Sequence, residues 1–271
     1  MLKMISHNQS KLVISLQKKK TREEEGLFVI EGDKLVREYL MAGNRVRLLA
    51  GKPEWLSGEP DELLSHADNV VTVGYDELKR ISTLTTPHNV IAVAPILSKP
   101  FISDTIRGHL SLVLEYVQDP GNLGTIIRAA AWFGIGKIIC SPNCVDVHNP
   151  KVLQATMGAF MHVDVYYTPL EPLLERARAL SVPIYGTVID GESIYTHDLG
   201  QEGLILLGNE SKGLSDNLLQ FVNHCITIPG PEKPAAGIDS LNVGMAAAVI
   251  CSEFARRYRG RDVACNVSTK P

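Results

Sequence analysis

The chain has 271 residues, 45% of them hydrophobic and 21% charged, an ordinary globular composition that excludes disordered and fibrous classes. Its formal net charge of −3 excludes a uniformly basic polyanion-binding coat but leaves room for a local basic site. No apolar run approaches the roughly 20 residues of a membrane span; the longest, Val243 to Cys251, is interrupted by Gly244.

The opening stretch MLKMISHNQSK has no apolar core followed by a small-residue cleavage site, so a reduced, cytoplasmic location is expected. Charge is uneven along the chain. Lys3, Lys11, Lys18, Lys19, Lys20 and Arg22 make residues 1–22 basic with no acid among them. Such a run is either a solvated helix face or a segment that contacts phosphates. LFVIEG (27–32) reads as a strand ending in a turn, and Leu35, Val36, Tyr39 and Leu40 then fall at helical spacing. RVRLLA (45–50), NVVTV (69–73) and VIAVA (90–94) read as three more strands, each preceded by a short helical pattern. Residues 95–108 hold two prolines and a glycine without periodicity and read as a linker. A first domain over 1–98 and a second over 99–271 follow.

The second domain opens with LSLVLEYV (110–117), an almost continuous apolar run of the kind buried on both faces of a parallel sheet. Strands are expected at 137–141, 163–167, 183–189, 204–208 and 225–229. Helices are expected at 123–133, 150–160, 170–180, 215–222 and 241–258. This alternation predicts a parallel α/β sheet, and ligands of such sheets sit beyond the carboxyl ends of the strands.

Three of those strand ends have unusual composition. In DPGNLGTIIRAAAWFGI (119–135), Pro120-Gly121 turns the chain out of the strand and Asn122 is placed to cap the next helix. Arg128 lies among Ile126, Ile127, Ala129 and Ala130; a guanidinium in apolar surroundings needs an anionic partner, either an internal carboxylate or a ligand phosphate. In LLGNESKGLS (206–215), Gly208 permits close backbone approach and Glu210 follows at the strand end. In residues 226–248, a proline-rich loop ends at Ser240, which is placed to cap a helix rich in Gly244, Ala246, Ala247 and Ala248. The glycines of the first segment are not a G-x-G-x-x-G fingerprint, which argues against a dinucleotide site. The five cysteines, Cys140, Cys144, Cys225, Cys251 and Cys265, fit buried or loop thiols; the C-x3-C pair has no partner pair to complete a zinc site.

Together and in this order, DPGNLGTIIRAA (119–130), LLGNESKGLS (206–215) and IDSLNVGMAAA (238–248) resemble the catalytic domain of SpoU-type (TrmH-like) RNA 2′-O-ribose methyltransferases of the SPOUT superfamily. SPNCVDVHNPKVLQATMGA (141–159) is also similar to that family. KKKTREEEGLFVIEG (18–32) and TTPHNVIAV (85–93) resemble its N-terminal substrate-binding domain, which is similar to the ribosomal protein L30e fold. The resemblance implies an α/β protein: an L30e-like α/β domain followed by a parallel-sheet α/β-knot domain with a deep trefoil knot. It implies S-adenosylmethionine as methyl donor and no metal. Gly208, Ile228 and Leu241 would line the cofactor through backbone groups, with Thr187 on its adenine side. Asn122, Arg128, Glu210, Ser240 and Asn242 would form the catalytic set, in a homodimer whose site is completed across the interface. Lys18, Lys19, Lys20 and Arg22 would contact RNA phosphates, as natural partners of a ribosomal RNA (large-subunit rRNA first) or a transfer RNA. The loop GPEKPAAGID (230–239) is longer than in many relatives, and Arg256, Arg257, Arg259 and Arg261 add a second basic cluster. The alternative is a non-catalytic RNA-binding or ribosome-assembly protein of the same fold, which would be expected to have lost Arg128, Glu210 or Asn242.

Overall fold

The computed structural model describes residues 3–97, 100–231 and 240–258. In chain order the elements are β1 (Lys3–Met4), α1 (His7–Ser15), α2 (Lys19–Glu25), β2 (Leu27–Glu31), α3 (Asp33–Met41), β3 (Leu48–Gly51), α4 (Pro53–Ser57), α5 (Asp61–Leu64), β4 (Val70–Thr72), α6 (Tyr75–Ile81) and β5 (Val90–Pro95). They continue with β6 (Leu110–Leu114), α7 (Pro120–Phe133), β7 (Lys137–Cys140), α8 (Pro150–Thr156), β8 (Asp164–Tyr167), α9 (Leu170–Ala179), β9 (Ile184–Ser193), β10 (Gly203–Leu207), α10 (Asp216–Leu219), β11 (His224–Thr227) and α11 (Val243–Tyr258). Short 3-10 turns add Ser103–Ile106 and Ala159–Met161.

These elements form two compact units that do not follow chain order. The first comprises residues 1–100 and 146–161, the second 101–145 and 162–271. Segment 146–161, which the motif order assigned to the second domain, packs with the first unit.

The first unit carries a mixed five-stranded sheet in the order β1-β4-β3-β5-β2, with β5 antiparallel to both neighbours. One face buries Phe28, Ile30, Leu49 and Ala92 against Leu35, Val36 and Leu40 of α3, and Leu153 of α8 completes this core. The other face buries Val29, Leu48, Ala50 and Val93 against Val13 and Leu16. Strand residues thus alternate between two cores, as a period of two requires. Arg22 is the largest fully buried side chain among the described residues, 2% exposed. Its guanidinium pairs with Asp146 (Nη2–Oδ2 2.6 Å, Nε–Oδ2 2.9 Å) and donates to the carbonyls of Leu16 and Gln17. This corrects the expectation that Arg22 contacts RNA. A cation held by a carboxylate and two carbonyls out of solvent is a structural pin, and the neighbouring lysines are the exposed ones.

The second unit carries a wholly parallel six-stranded sheet, β11-β9-β10-β6-β7-β8. β6 and β10 lie at its centre, with Leu112 opposite Ile205 on one side and Ile138 on the other. Every residue of β10 is buried, which explains its uninterrupted Leu/Ile sequence. The predicted strand over 110–117 ends early, at Leu114. Glu115 turns inward to bind Ser215, and Tyr116 takes up a left-handed backbone conformation with φ of 57°.

Candidate active site

The site is built on the carboxyl ends of β6 and β10 and the amino ends of α7 and α11. Helix α7 starts three residues before its predicted start. Asp119, not Asn122, is its N-cap: the carboxylate accepts from the Asn122 N–H at 2.9 Å, and Pro120 occupies the first turn, where its missing N–H costs nothing. That frees the Asn122 side chain for tertiary contacts. Helix α11 shows a similar shift. The Asn242 side-chain oxygen accepts from the N–H groups of Gly244 (3.0 Å) and Met245 (3.3 Å), the capping role expected of Ser240. Ser240 itself is exposed and has no hydrogen-bond partner among the described residues.

Three side chains of the expected set form one chain of hydrogen bonds. Asn242 Nδ2 donates to Asn122 Oδ1 at 2.8 Å, and Asn122 Nδ2 donates to Glu210 Oε1. The amide of Asn122 is thereby fixed in orientation, with its oxygen toward α11 and its nitrogen toward the loop after β10. α7 and α11 approach closely enough that a Cβ on Gly244 would lie 3.1 Å from Thr125 Cγ2.

The loop that delivers Glu210 is closed by its own backbone. Asn209 and Gly213 exchange two main-chain hydrogen bonds (3.1 and 2.8 Å), and Asn209 Oδ1 accepts from Ser211 and Lys212. A Cβ on Gly208 would lie 2.2 Å from the Gly213 carbonyl carbon, so no side chain fits there. Asn209 Nδ2 also donates to the Tyr116 carbonyl at 3.1 Å, tying the loop to the end of β6. Below it, the buried carboxylate of Glu115 accepts from Ser215 N (2.8 Å) and Oγ (2.6 Å). Sequence reasoning missed Asp119, Asn209 and Glu115. For Asp119 the signal was legible, since Asp before Pro marks a helix start; for Asn209 it was the tendency of Asn to hydrogen-bond its own backbone two residues on.

Arg128 is exposed, not buried among its apolar neighbours. Residues 121, 125, 128 and 132 fall on one solvent-facing stripe of α7, while Leu123, Ile126, Ile127 and Ala130 face the core. Among the described residues Arg128 has neither a hydrogen-bond nor an ion-pair partner, and Glu210 engages Asn122 rather than Arg128. An exposed fork with no carboxylate is available to an external anion.

Of the residues expected to line a cofactor, Gly208 follows β10, Ile228 follows β11 and Thr187 lies within β9, so all three belong to neighbouring strands of the sheet. Thr187 Oγ1 donates to the Leu206 carbonyl at 2.8 Å, which joins β9 to β10 and leaves its lone pairs free to accept. Leu241 is exposed just before α11. None of these positions carries an ionisable side chain. Such a lining of backbone groups and an apolar side chain suits an uncharged ring system bound by main-chain hydrogen bonds. Among the described residues no three His, Cys, Asp or Glu side chains converge as a metal ion would require.

Three expectations fall partly or wholly outside the described residues. The loop 230–239 is described only at Gly230 and Pro231, and Cys265, Arg259 and Arg261 are outside. Arg256 and Arg257 are both taken up by Glu253, at 2.7 and 2.9 Å, so they do not form a free basic cluster.

Residues 109–252, more than half of the chain, match the model of the SpoU rRNA methylase family. The chain belongs to the SpoU rRNA methylase family. Residues 8–92 match a second model, the MRM3-like substrate-binding domain. Among solved structures, a chain from Porphyromonas gingivalis assigned to the TrmH family of RNA methyltransferases is 37% identical. It superposes with a TM-score of 0.82 over 94% of this chain and 99% of that one. The AdoMet-bound rRNA methyltransferase of Sinorhizobium meliloti is 26% identical, with a TM-score of 0.81 over 95% of this chain and 97% of that one. The 23S rRNA (guanosine(2553)-2′-O)-methyltransferase RlmP of Bacillus subtilis is 28% identical over 87% of this chain and 91% of its own. The mixed α/β fold with a parallel-sheet domain is thus the fold of SpoU and TrmH methyltransferases.

Proposed function

We propose that this SpoU-family protein methylates a ribose 2′-hydroxyl of ribosomal RNA, with large-subunit rRNA as the first candidate and S-adenosylmethionine as the donor. The observation that carries this reading is the Asn242–Asn122–Glu210 hydrogen-bond chain on a helix whose Arg128 is exposed and unpaired. The bound AdoMet of the Sinorhizobium meliloti enzyme and the 2′-O activity in the name of RlmP support the donor and the acceptor.

S-adenosylmethionine, when bound, supplies an electrophilic sulfonium methyl. Backbone groups at Gly208, Ile228 and Leu241 would hold the donor, and Thr187 would serve its adenine side. Arg128 grips the phosphate next to the target ribose through two parallel N–H donors. Arginine stays protonated at any working pH and is not itself the base; on this reading a non-bridging oxygen of the gripped phosphate takes the 2′-hydroxyl proton as the new O–CH3 bond forms and the methyl–sulfur bond breaks. Glu210 and Asn242 fix the Asn122 amide, and Asn122 and Ser240 orient the ribose. Holding the hydroxyl in line removes much of the entropic part of the barrier.

The first unit grips RNA through Lys18, Lys19 and Lys20, by shape and backbone charge rather than sequence. Two copies pair in the active form. Trp132 on α7 is 73% exposed and Met245 on α11 57% exposed, and large apolar side chains left in water on packed helices favour a covering subunit. The superfamily's trefoil knot belongs to this reading of the second domain, as does a reducing cytoplasm, which the free thiols among the described residues suit.

Incubation with methyl-labelled S-adenosylmethionine and total RNA from a strain lacking the protein tests this. Label recovered in a nucleotide whose 3′ linkage resists alkaline hydrolysis is expected. Label in no RNA fraction would overturn the reading in favour of the non-catalytic alternative.

A further inference from the structure

Three described residues other than glycine have positive φ: Tyr116, Met157 and Ser181. Two of them end helices. Met157 is the C-cap of α8, and Ser181 follows the C-cap of α9. Left-handed residues are common there, because they let a helix terminate. Tyr116 is different. It follows a central strand, and its conformation disfavours any residue with a Cβ and a bulky ring above all. A glycine would adopt the same turn without strain.

The backbone of Tyr116 explains the turn but not the ring. Its N–H is bound by Ser141 Oγ at 3.1 Å, and its carbonyl accepts from Asn209 Nδ2 at 3.1 Å. Both bonds would survive replacement by glycine. The ring is 45% exposed, and among the described residues it stacks on no other ring and its hydroxyl has no hydrogen-bond partner. No ring contact and no hydroxyl hydrogen bond among the described residues therefore offsets the strain. The residue stands one position before the loop that leads to Asp119 and Asn122, and one hydrogen bond from the residue that precedes Glu210.

We propose that the Tyr116 ring is a stacking platform for a nucleobase at or beside the methylated nucleotide, making Tyr116 a positioning residue for the RNA. The proposal rests on the methyl-transfer reading above. An unstacked RNA base seeks an aromatic face, and an exposed ring held by a rigid backbone turn offers one at little cost in side-chain order. The ring then places the ribose while Arg128 holds the phosphate, two contacts on one nucleotide, one from the turn before α7 and one from about two turns into that helix.

The test compares Tyr116→Gly, Tyr116→Phe and Tyr116→Trp. Glycine removes the ring and the strain together, so Tm is expected to stay level or rise. The kcat/KM for RNA should fall roughly 5- to 100-fold, the range of a lost base stack, mainly through KM. Calorimetric affinity for S-adenosylmethionine should not change, and phenylalanine and tryptophan should keep near-native KM. A glycine variant with native KM for RNA would overturn the proposal, as would one whose sedimentation reveals a lost dimer, since the ring would then be a subunit contact. Filter binding of the same RNA without S-adenosylmethionine separates the two readings. If the wild type transfers no methyl group, the enzymatic reading fails, and equal RNA affinity of wild type and Tyr116→Gly would sink the stacking role on its own.

Discussion

Two arginines, one in each compact unit, invert what their neighbourhoods in the sequence suggest. Arg22 stands in the most basic segment of the chain and is buried against Asp146. Arg128 stands in an apolar helix and is exposed, with no partner among the described residues. The fate of a guanidinium is decided by what lies across space from it. For Arg22 that is a carboxylate 124 residues away, which no local pattern announces. For Arg128 it is the position on the helix turn: seven residues after Gly121, it falls on the solvent stripe however apolar its sequence neighbours are. One unit uses its cation to hold itself together; the other leaves a cation open to solvent.

The comparison breaks most visibly at Arg22. Arg22→Ala leaves the largely buried Asp146 carboxylate without its partner and should destabilise the fold by ~3–5 kcal/mol in urea unfolding. Burial pushes the Asp146 carboxyl up, but hydrogen bonds from His148 and Arg22 outweigh it and hold it well below the usual carboxylate range. A depressed carboxyl contributes stability that is present above its unfolded pKa, about 3.9, and is lost as pH falls toward its folded value. The wild type should therefore lose stability below about pH 4, and the acid limb of Arg22→Ala should be flatter. An Arg22→Ala protein as stable as the wild type would remove the contrast altogether.

Arg128→Ala should do the opposite. As an exposed, unpaired residue it should shift stability by no more than about 0.5 kcal/mol, while methyl transfer falls on the order of 10²-fold or more. Arg128→Lys should rescue little, because an ammonium cannot reproduce the bidentate fork. Calorimetry on both variants should give native affinity for S-adenosylmethionine; lost affinity would move Arg128 into the donor site.

A smaller effect is expected at Gly208. A methyl group there collides with the Gly213 backbone, and the loop must shift at a cost of about 1–3 kcal/mol. Gly208→Ala should weaken donor binding and displace Glu210, lowering kcat as well. Smallest in stability is the double change Lys18→Glu with Lys20→Glu. Both side chains are exposed, and the 3.7 Å pair of Lys20 with Glu24 is a surface pair of little consequence for folding. Its effect belongs to RNA affinity, which should drop and lose part of its salt dependence. An unchanged salt slope would leave the lysines as a solvated face.

Much of the second unit was legible because a strand buried on both faces must be apolar throughout. β10 and β7 stand within one residue of their expected spans for that reason. β6 is shorter than its apolar run, because Glu115 finds Ser215 and the chain turns at Tyr116. That partner is 100 residues away and has no local signature. The motif residues 122, 210 and 242 were legible as a set, yet their mutual bonds were not. Asn122 was read as a cap, and only Asp119 taking that role releases its amide to link two loops. Segment 146–161 lies within the second domain's span in sequence, whereas Leu153 and the Asp146 carboxylate pack with the first unit.

That displaced segment has a consequence for synthesis. The first unit reaches residue 100 without the helix that covers one of its cores and without the carboxylate that neutralises Arg22. Both arrive only when residue 161 has been added, 61 residues later (161 minus 100). At about 5–20 residues per second the ribosome takes roughly 3–12 s to supply them. Until then the first unit lacks Leu153 for one of its cores and a carboxylate for Arg22. A fragment ending at residue 98 lacks Leu153 and the Asp146 carboxylate, and urea unfolding should find it less stable than one that also carries 146–161.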